Sequence, residues 1–161
     1  MISPVFKELD SPHLFTLRWS PFESMGSRMG LFDLLKSKDI DISGQWISEK
    51  DMPGGVAFFT GPHTIPSKMI GERYGHDLAG FTQACLDLGG TPLNMADAAF
   101  SFTIVPSIPV AVLLWKGDEE FPAEARLLFD KTITEHMALD VIFGLAVEIC
   151  STLGLTETRE K

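Results

Sequence analysis

The sequence predicts an α+β fold: a small antiparallel sheet with helices packed on one face, in a single domain. Two observations predict it. Residues 98–116 hold two apolar runs, AAFSFTIV and PVAVLLWK, separated by PSI, as the strands of a β-hairpin are. Three further segments, 76–88, 122–135 and 139–153, carry apolar residues at helical spacing. With 161 residues, 45% apolar and 22% charged, the chain is globular in composition and long enough to bury a core.

The elements follow in order. Residues 1–21 are punctuated by Pro4, Pro12 and Pro21 and read as an N-terminal extension. Within it Phe15, Leu17 and Trp19 alternate with Leu14, Thr16 and Arg18, the period of a strand. From Phe22 the period becomes helical through Met25, Met29, Phe32 and Leu35. Gly26 and Gly30 each weaken a helix by about 1 kcal/mol relative to Ala, so the helix is expected from Arg28 to Lys38. Residues 39–65 are loop-rich. Ser48 there starts a brief helical turn closed by Asp51 and Met52, Pro53-Gly54-Gly55 marks a turn, and Val56–Thr60 is expected as a short strand.

Pro66-Ser67 opens a helical region whose stripe is Met69, Ile70 and Tyr74. After a break at Gly75, a second stripe of Leu78, Phe81, Cys85 and Leu88 runs to Gly89-Gly90, where a left-handed residue takes the last carbonyls. In the hairpin, Phe100, Phe102 and Ile104 alternate with small or polar residues. Val110–Trp115 is apolar almost throughout, which places it in the middle of the sheet, buried on both faces. Pro106 and Pro109 cannot donate to a ladder and belong in the connection or at strand ends. Asp118, Glu119 and Glu120 then precede Phe121-Pro122, as acids precede a proline-started helix whose dipole they complement. That helix, 122–135, is expected to be anchored by Phe121-Pro122 and to bury Phe121, Ala125, Leu128, Phe129 and Ile133. The last helix starts near Leu139 or Asp140, carries Val141, Ile142, Leu145, Ile149 and Leu153, and ends at Gly154, leaving 155–161 as a frayed tail. Leu128, Phe129, Leu145 and Ile149 are expected to be buried together.

Charge narrows the partners. A net charge of −9 with no Lys/Arg-rich run opposes approach to phosphates, so neither nucleic acid nor an anionic membrane surface is expected. No stretch approaches the roughly 18 apolar residues of a membrane span. MISPVFKELDSPHLF lacks a basic region followed by an apolar one, so a cytoplasmic location is expected. Cys85 and Cys150 lie in apolar helical segments and are expected as free, buried thiols rather than a disulfide.

The segments WISEKDMPGG, GPHTIP, the Gly-Gly of LDLGG and above all PSIPVAVLLWKGDEEFPAEARLLFD resemble an uncharacterised family, a domain of unknown function found mainly in anaerobic bacteria and archaea. The resemblance spans residues 28–153. It implies an association with longer members that carry a four-cysteine iron–sulphur module, of the kind seen in corrinoid iron–sulphur proteins. With only Cys85 and Cys150, this chain cannot itself supply the four thiolates of such a cluster. The family brings no established catalytic residues.

The densest polar cluster is Asp118, Glu119 and Glu120, with Asp130 and His136 further along. Carboxylates with an imidazole are the chemistry of a hard or borderline divalent metal, or of an acid–base pair. Acids at a helix start are also explained by the dipole alone. The expectation is therefore that at least one of the three accepts an amide of residues 121–125 and that no tight divalent metal site forms there. GPHTIP and RYGHD offer His63, Arg73 and Tyr74 for an anionic ligand, and His76 as an acid–base candidate. Trp115 offers a face to a flat apolar ligand. Gly-x-Gly-x-x-Gly, Gly-x-x-x-x-Gly-Lys-Ser/Thr, Gly-x-Ser-x-Gly and His-Glu-x-x-His are all absent. No cofactor is assigned. Two functions stand: a non-catalytic binding or accessory module of anaerobic metabolism, with a tetrapyrrole or an iron–sulphur partner protein as ligand, or a small metal-dependent or acid–base enzyme using Asp118–Glu120. A homo-oligomer whose polar block only stabilises the fold is the third option.

Overall fold

A computed structural model describes residues 42–104 and 108–155. The N-terminal extension, the strand expected at 13–19, the helix expected at 28–38, Pro106, and residues 156–161 of the tail lie outside them. The described elements run β1 (Trp46–Ile47), a 3-10 turn at Glu49–Asp51, α1 (Gly55–Phe58), a 3-10 turn at Gly61–His63, α2 (Lys68–Tyr74), α3 (Leu78–Asp87), β2 (Thr91–Pro92), β3 (Ala98–Ile104), β4 (Ile108–Trp115), β5 (Glu124–Asp130), α4 (Ile133–His136) and α5 (Leu139–Gly154).

One antiparallel sheet of order β1-β5-β4-β3-β2 holds all five strands. The hairpin has the expected pairing, from Ala98↔Leu114 to Ile104↔Ile108. β4 is the middle strand, and Ile108, Val110, Ala111, Val112, Leu113 and Leu114 are all buried, because neighbours cover both their faces. Pro109 takes the second position of β4, and Pro92 lies in an edge strand, where a missing donor is tolerated.

The helices pack on one face. Phe100, Phe102, Val110, Val112, Leu114, Leu127 and Phe129 meet Ile70 and Tyr74 of α2, Phe81 and Cys85 of α3, and Ile142, Leu145, Ile149 and Leu153 of α5 in one apolar cluster. The break at Gly75 separates α2 from α3 as expected. α3 ends as its sequence requires. Gly89 has φ +81°, its amide donates to Leu86 O at 2.9 Å and the Gly90 amide to Cys85 O at 2.8 Å, which satisfies the last carbonyls. On the other face, Ala99, Ala111 and Leu113 are buried among Trp46, Leu93, Met95, Trp115 and Leu128.

Three expectations are corrected. Residues 124–130 form β5, not part of a helix over 122–135. Glu, Ala, Arg and Leu favour helix, but the segment also alternates, and Ala125, Leu127 and Phe129 are buried while Glu124 and Arg126 are exposed. Pairing with β4, from Val110↔Phe129 to Trp115↔Glu124, decides for the strand. Leu128 consequently points to the face opposite Phe129, Leu145 and Ile149, and Phe121 is 67% exposed rather than an anchor. Val56–Thr60 is not a strand: Gly55–Phe58 makes one helical turn.

The two neighbours in β5 should respond differently to truncation. Phe129→Ala is expected to cost about 3–5 kcal/mol, including the cavity it leaves. Leu128→Ala, from a half-buried site, should cost less than about 2 kcal/mol. Urea melts of the two variants check this, and equal costs would contradict the register of β5.

Candidate functional site

The acidic turn connects β4 to β5 and is exposed. Asp118 Oδ1 accepts the amides of Glu120 at 2.8 Å and Phe121 at 2.7 Å, and the Asp118 amide donates to Phe121 O at 2.9 Å. The expected acceptance of an amide within 121–125 is thus met, although the turn leads into a strand rather than a helix. The Phe121 amide, then that of Glu120, holds the Asp118 carboxyl below its ordinary pKa. His76 lies against this turn: a Cβ added to Gly117 would sit 3.4 Å from His76 Cε1, and the Gly117 amide donates to Gly75 O at 3.0 Å. Asp130 is remote, since the six residue steps of β5 put it roughly 20 Å away.

The remaining candidates do not converge. His63 stacks on Phe58 at 4.5 Å and meets the edge of Phe143 at 5.3 Å, forming an aromatic patch on α1 and α5. Arg73 donates to Gly154 O at 3.4 Å, satisfying a carbonyl at the C-terminal end of α5. Tyr74 is buried edge-on to Phe81 at 5.8 Å. Trp115 lies on the opposite sheet face under the Arg126 guanidinium, 5.8 Å from its ring centre. His136 is half-buried, and its Nε2 has no hydrogen-bond partner among the described residues. Among these residues no three His, Cys, Asp or Glu side chains are grouped to hold a metal ion.

Asp130 has a different part from the one its sequence context suggests. It is 2% exposed and accepts from the Ser43 amide and hydroxyl, the Gly44 amide, and the Thr132 amide and hydroxyl, at 2.7–3.0 Å. Burial alone would push its carboxyl up. The Ser43 amide, the Thr132 hydroxyl and amide and the Ser43 hydroxyl reverse this and hold it well below the usual carboxylate range. Cys85 and Cys150 are free and fully buried, and burial pushes the Cys150 thiol up to about 12. Neither is a poised nucleophile.

A cleft that the sequence did not suggest opens beside the first half of β5. Its volume is about 700 Å³. The floor is the edge of the strand from Ala123 to Leu127, and the walls are Ser48–Lys50, Phe59–Gly61 and Thr64, Ile65, Ser67 and Lys68. It exists because β1 is short. Immediately after Ile47, the Ser48 amide and hydroxyl donate to Asp51 Oδ2 at 2.9 and 2.8 Å, and this reciprocal cap turns the chain away from β5. The same bonds, the hydroxyl's first, lower the Asp51 pKa. Lys50 Nζ donates to Phe59 O and ties two walls together, Arg126 pairs with Glu124, and Lys68 pairs with Glu72 at 3.4 Å. At the far end of the cleft α2 lies on the strand, where a Cβ on Gly71 would come within 3.2 Å of Ala123 O and 3.6 Å of Ala125 N, a tight approach that glycine eases.

A family model described as a domain of unknown function matches residues 31–152, which includes the cleft, Asp130 and the acidic turn. The chain belongs to this family, DUF3786. No curated protein and no solved structure matches it. The two cysteines of this DUF3786 chain, both buried inside helices, do not themselves supply the four thiolates of an iron–sulphur cluster.

Asp130 makes the stability of the DUF3786 domain depend on acid. A carboxyl whose folded pKa lies below its unfolded value near 3.9 stabilises the fold fully above that value, and the stabilisation is lost as pH falls towards the folded pKa. The unfolding free energy should therefore fall as the pH drops from about 4 to about 2. Asp130→Asn should lose about 1.5–3 kcal/mol at neutral pH and show a flatter decline in acid. Denaturant melts across this range check both.

Proposed function

We propose that this DUF3786 domain is a non-catalytic binding module that engages a partner protein through the cleft beside β5. The observation that carries the reading is the make-up of that cleft. Its surface is strand edge, hydroxyls of Ser48, Thr60, Thr64 and Ser67, and the charged groups Lys50, Lys68 and Arg126, each already paired with a neighbour. Such a surface suits recognition, in which polar groups fix the orientation of a bound chain. Of the two ligands considered, a partner protein fits better than a tetrapyrrole. A tetrapyrrole calls for a broad apolar slot with an axial ligand. The cleft lining has neither His nor Cys, and its one aromatic ring, Phe59, is buried. The iron–sulphur proteins of anaerobic metabolism are the partners that the family association suggests, and a cytoplasmic setting belongs to the same proposal.

Site-specific photocrosslinking tests it. A benzoylphenylalanine at Thr64 in the cleft should give an adduct with one host protein, whereas the same group at the exposed Phe121 should not. The adduct should weaken when Lys68→Glu and Arg126→Glu are combined. Equal adducts from both positions would remove the cleft from the function.

A second reading, a small acid–base or metal-dependent enzyme at Asp118–Glu120, draws on the closeness of His76 to Gly117. Under it, calorimetric titration of chelator-treated protein with Mn²⁺, Fe²⁺ and Zn²⁺ should reveal micromolar binding that disappears in Glu119→Gln/Glu120→Gln. Titrations without heat leave the binding module as the sole reading.

A further inference from the structure

We propose that residues 28–38 of this chain dock as an amphipathic helix on the second face of the sheet, opposite α1–α5, and roof its small apolar cluster. The surface is separate from the cleft, and the proposal does not rest on the binding-module reading.

The cluster needs a roof. Ala99, Ala111 and Leu113 are 2%, 0% and 3% exposed, with Trp46, Leu93, Met95, Trp115 and Leu128 packed against them. Among the described residues all of these come from strands, except Leu93 and Met95 in the loop before β3. None comes from α1–α5, which contribute to the other cluster. Side chains on one sheet face stand side by side, roughly perpendicular to the sheet, so they flank one another without covering one another. The loop lies at the Leu113 end, where the Leu93 amide donates to Ala99 O at 2.9 Å and the Asp97 amide to Leu114 O at 3.1 Å. Ala111 lies further from the loop, between Ser101 and Leu128 in the ladder. A methyl there leaves water when another element packs over it.

Asp130 marks where that element arrives. It stands two residues from Leu128 on β5, hence on the same face, and Trp46 is its register partner. Its carboxylate holds the Ser43 amide and hydroxyl and the Gly44 amide at 2.8–3.0 Å. The chain preceding Ser43 therefore meets the sheet on this side. Residues 39–42 can reach about 14 Å. Ala111 is one strand over and two residues along from Asp130, roughly 8 Å away.

The segment has the matching pattern. At 3.6 residues per turn, Leu31, Phe32, Leu34 and Leu35 fall within an arc of about 160°, with Gly30, Asp33 and Ser37 opposite. Residues 28–38 span about 16 Å as a helix, enough to reach from β1 to β3, about 14 Å apart. Ala99, Ser101 and Ala111, small neighbours in β3 and β4, leave room for the larger side chains. The family match starts at residue 31, so all four apolar residues lie inside the family's domain.

Charge favours this occupant over a second copy. Arg28, Lys36 and Lys38 are three of the chain's 13 lysines and arginines, and Asp33 is the one acid among them. The segment is thus net positive on a chain of net charge −9, whereas a second copy brings like charge. The tail after Leu155, TETREK, has no apolar residue to offer.

Methyl-labelled NMR of the full chain tests the proposal. The Leu31, Leu34 and Leu35 methyls should show nuclear Overhauser contacts with the Ala111 and Leu128 methyls and the Trp46 ring. In a mixture of differently labelled chains, none of these contacts should cross between chains. Trypsin should cut after Lys36 and Lys38 about tenfold faster in Leu31→Asp/Leu35→Asp than in the parent, because the docked segment opens more often. Cleavage after Lys116 and Lys131 should stay unchanged, and where it rises as well, the Overhauser contacts of the parent decide. Contacts of these leucines with Val56, Phe58 and Phe143 instead, contacts that cross between chains, or no long-range contact at all would each overturn the proposal.

Discussion

The burial of β4 on both faces is the constraint from which the rest of the domain follows. A strand with Ile108, Val110, Ala111, Val112, Leu113 and Leu114 all out of water needs a strand on each side and apolar cover above and below. β3 arrives by the hairpin. β5 arrives by the return through the acidic turn, and its helix-prone residues are held extended because the second edge of β4 would otherwise leave a row of buried backbone groups unpaired. The helices then gather on the face where the large side chains lie, with Phe81, Ile142 and Ile149 packed over Val110, Val112 and Phe129.

Asp130 joins this centre to the start of the described chain. A carboxylate out of water is costly, and five donors from Ser43, Gly44 and Thr132 make it favourable. It therefore fastens the segment before β1 to the end of β5, where β1 makes its two paired positions. The Ser48–Asp51 cap acts against any longer pairing. Two carboxylates of similar chemistry thus set the length of β1: one holds its beginning on the sheet, and the other turns the chain off the sheet. The cleft beside β5 is the consequence of both.

How legible this was depended on whether the deciding interaction was local. The hairpin, the central place of β4, the separation of α2 from α3 and the glycine end of α3 were readable, because each is dictated by residues within a few positions of one another. The amide acceptance by Asp118 was readable for the same reason. The candidate site was far less so. Arg73 and Tyr74 carry residue types common in binding sites, yet one satisfies the end of α5 and the other fills the core. The cleft has no motif, since its elements come from segments around 48, 60, 65 and 125 and its defining feature is backbone. The one local trace was the Ser48–Asp51 turn, whose significance depends on which strand it leaves.

By itself, the sequence determined the α+β class, the apolar hairpin, the helical character of 78–87 and 139–154 and the acidic charge, because period, glycine placement and composition act locally or on the chain as a whole. Only the tertiary structure decided that 124–130 is a strand, that Leu128 and Phe129 point to opposite faces, that Asp130 is a buried fastening, and that part of β5 stays unpaired. In each of these the local preferences were balanced or misleading. A partner distant in sequence, the second edge of β4 or the amides of Ser43 and Gly44, supplied the free energy that broke the tie.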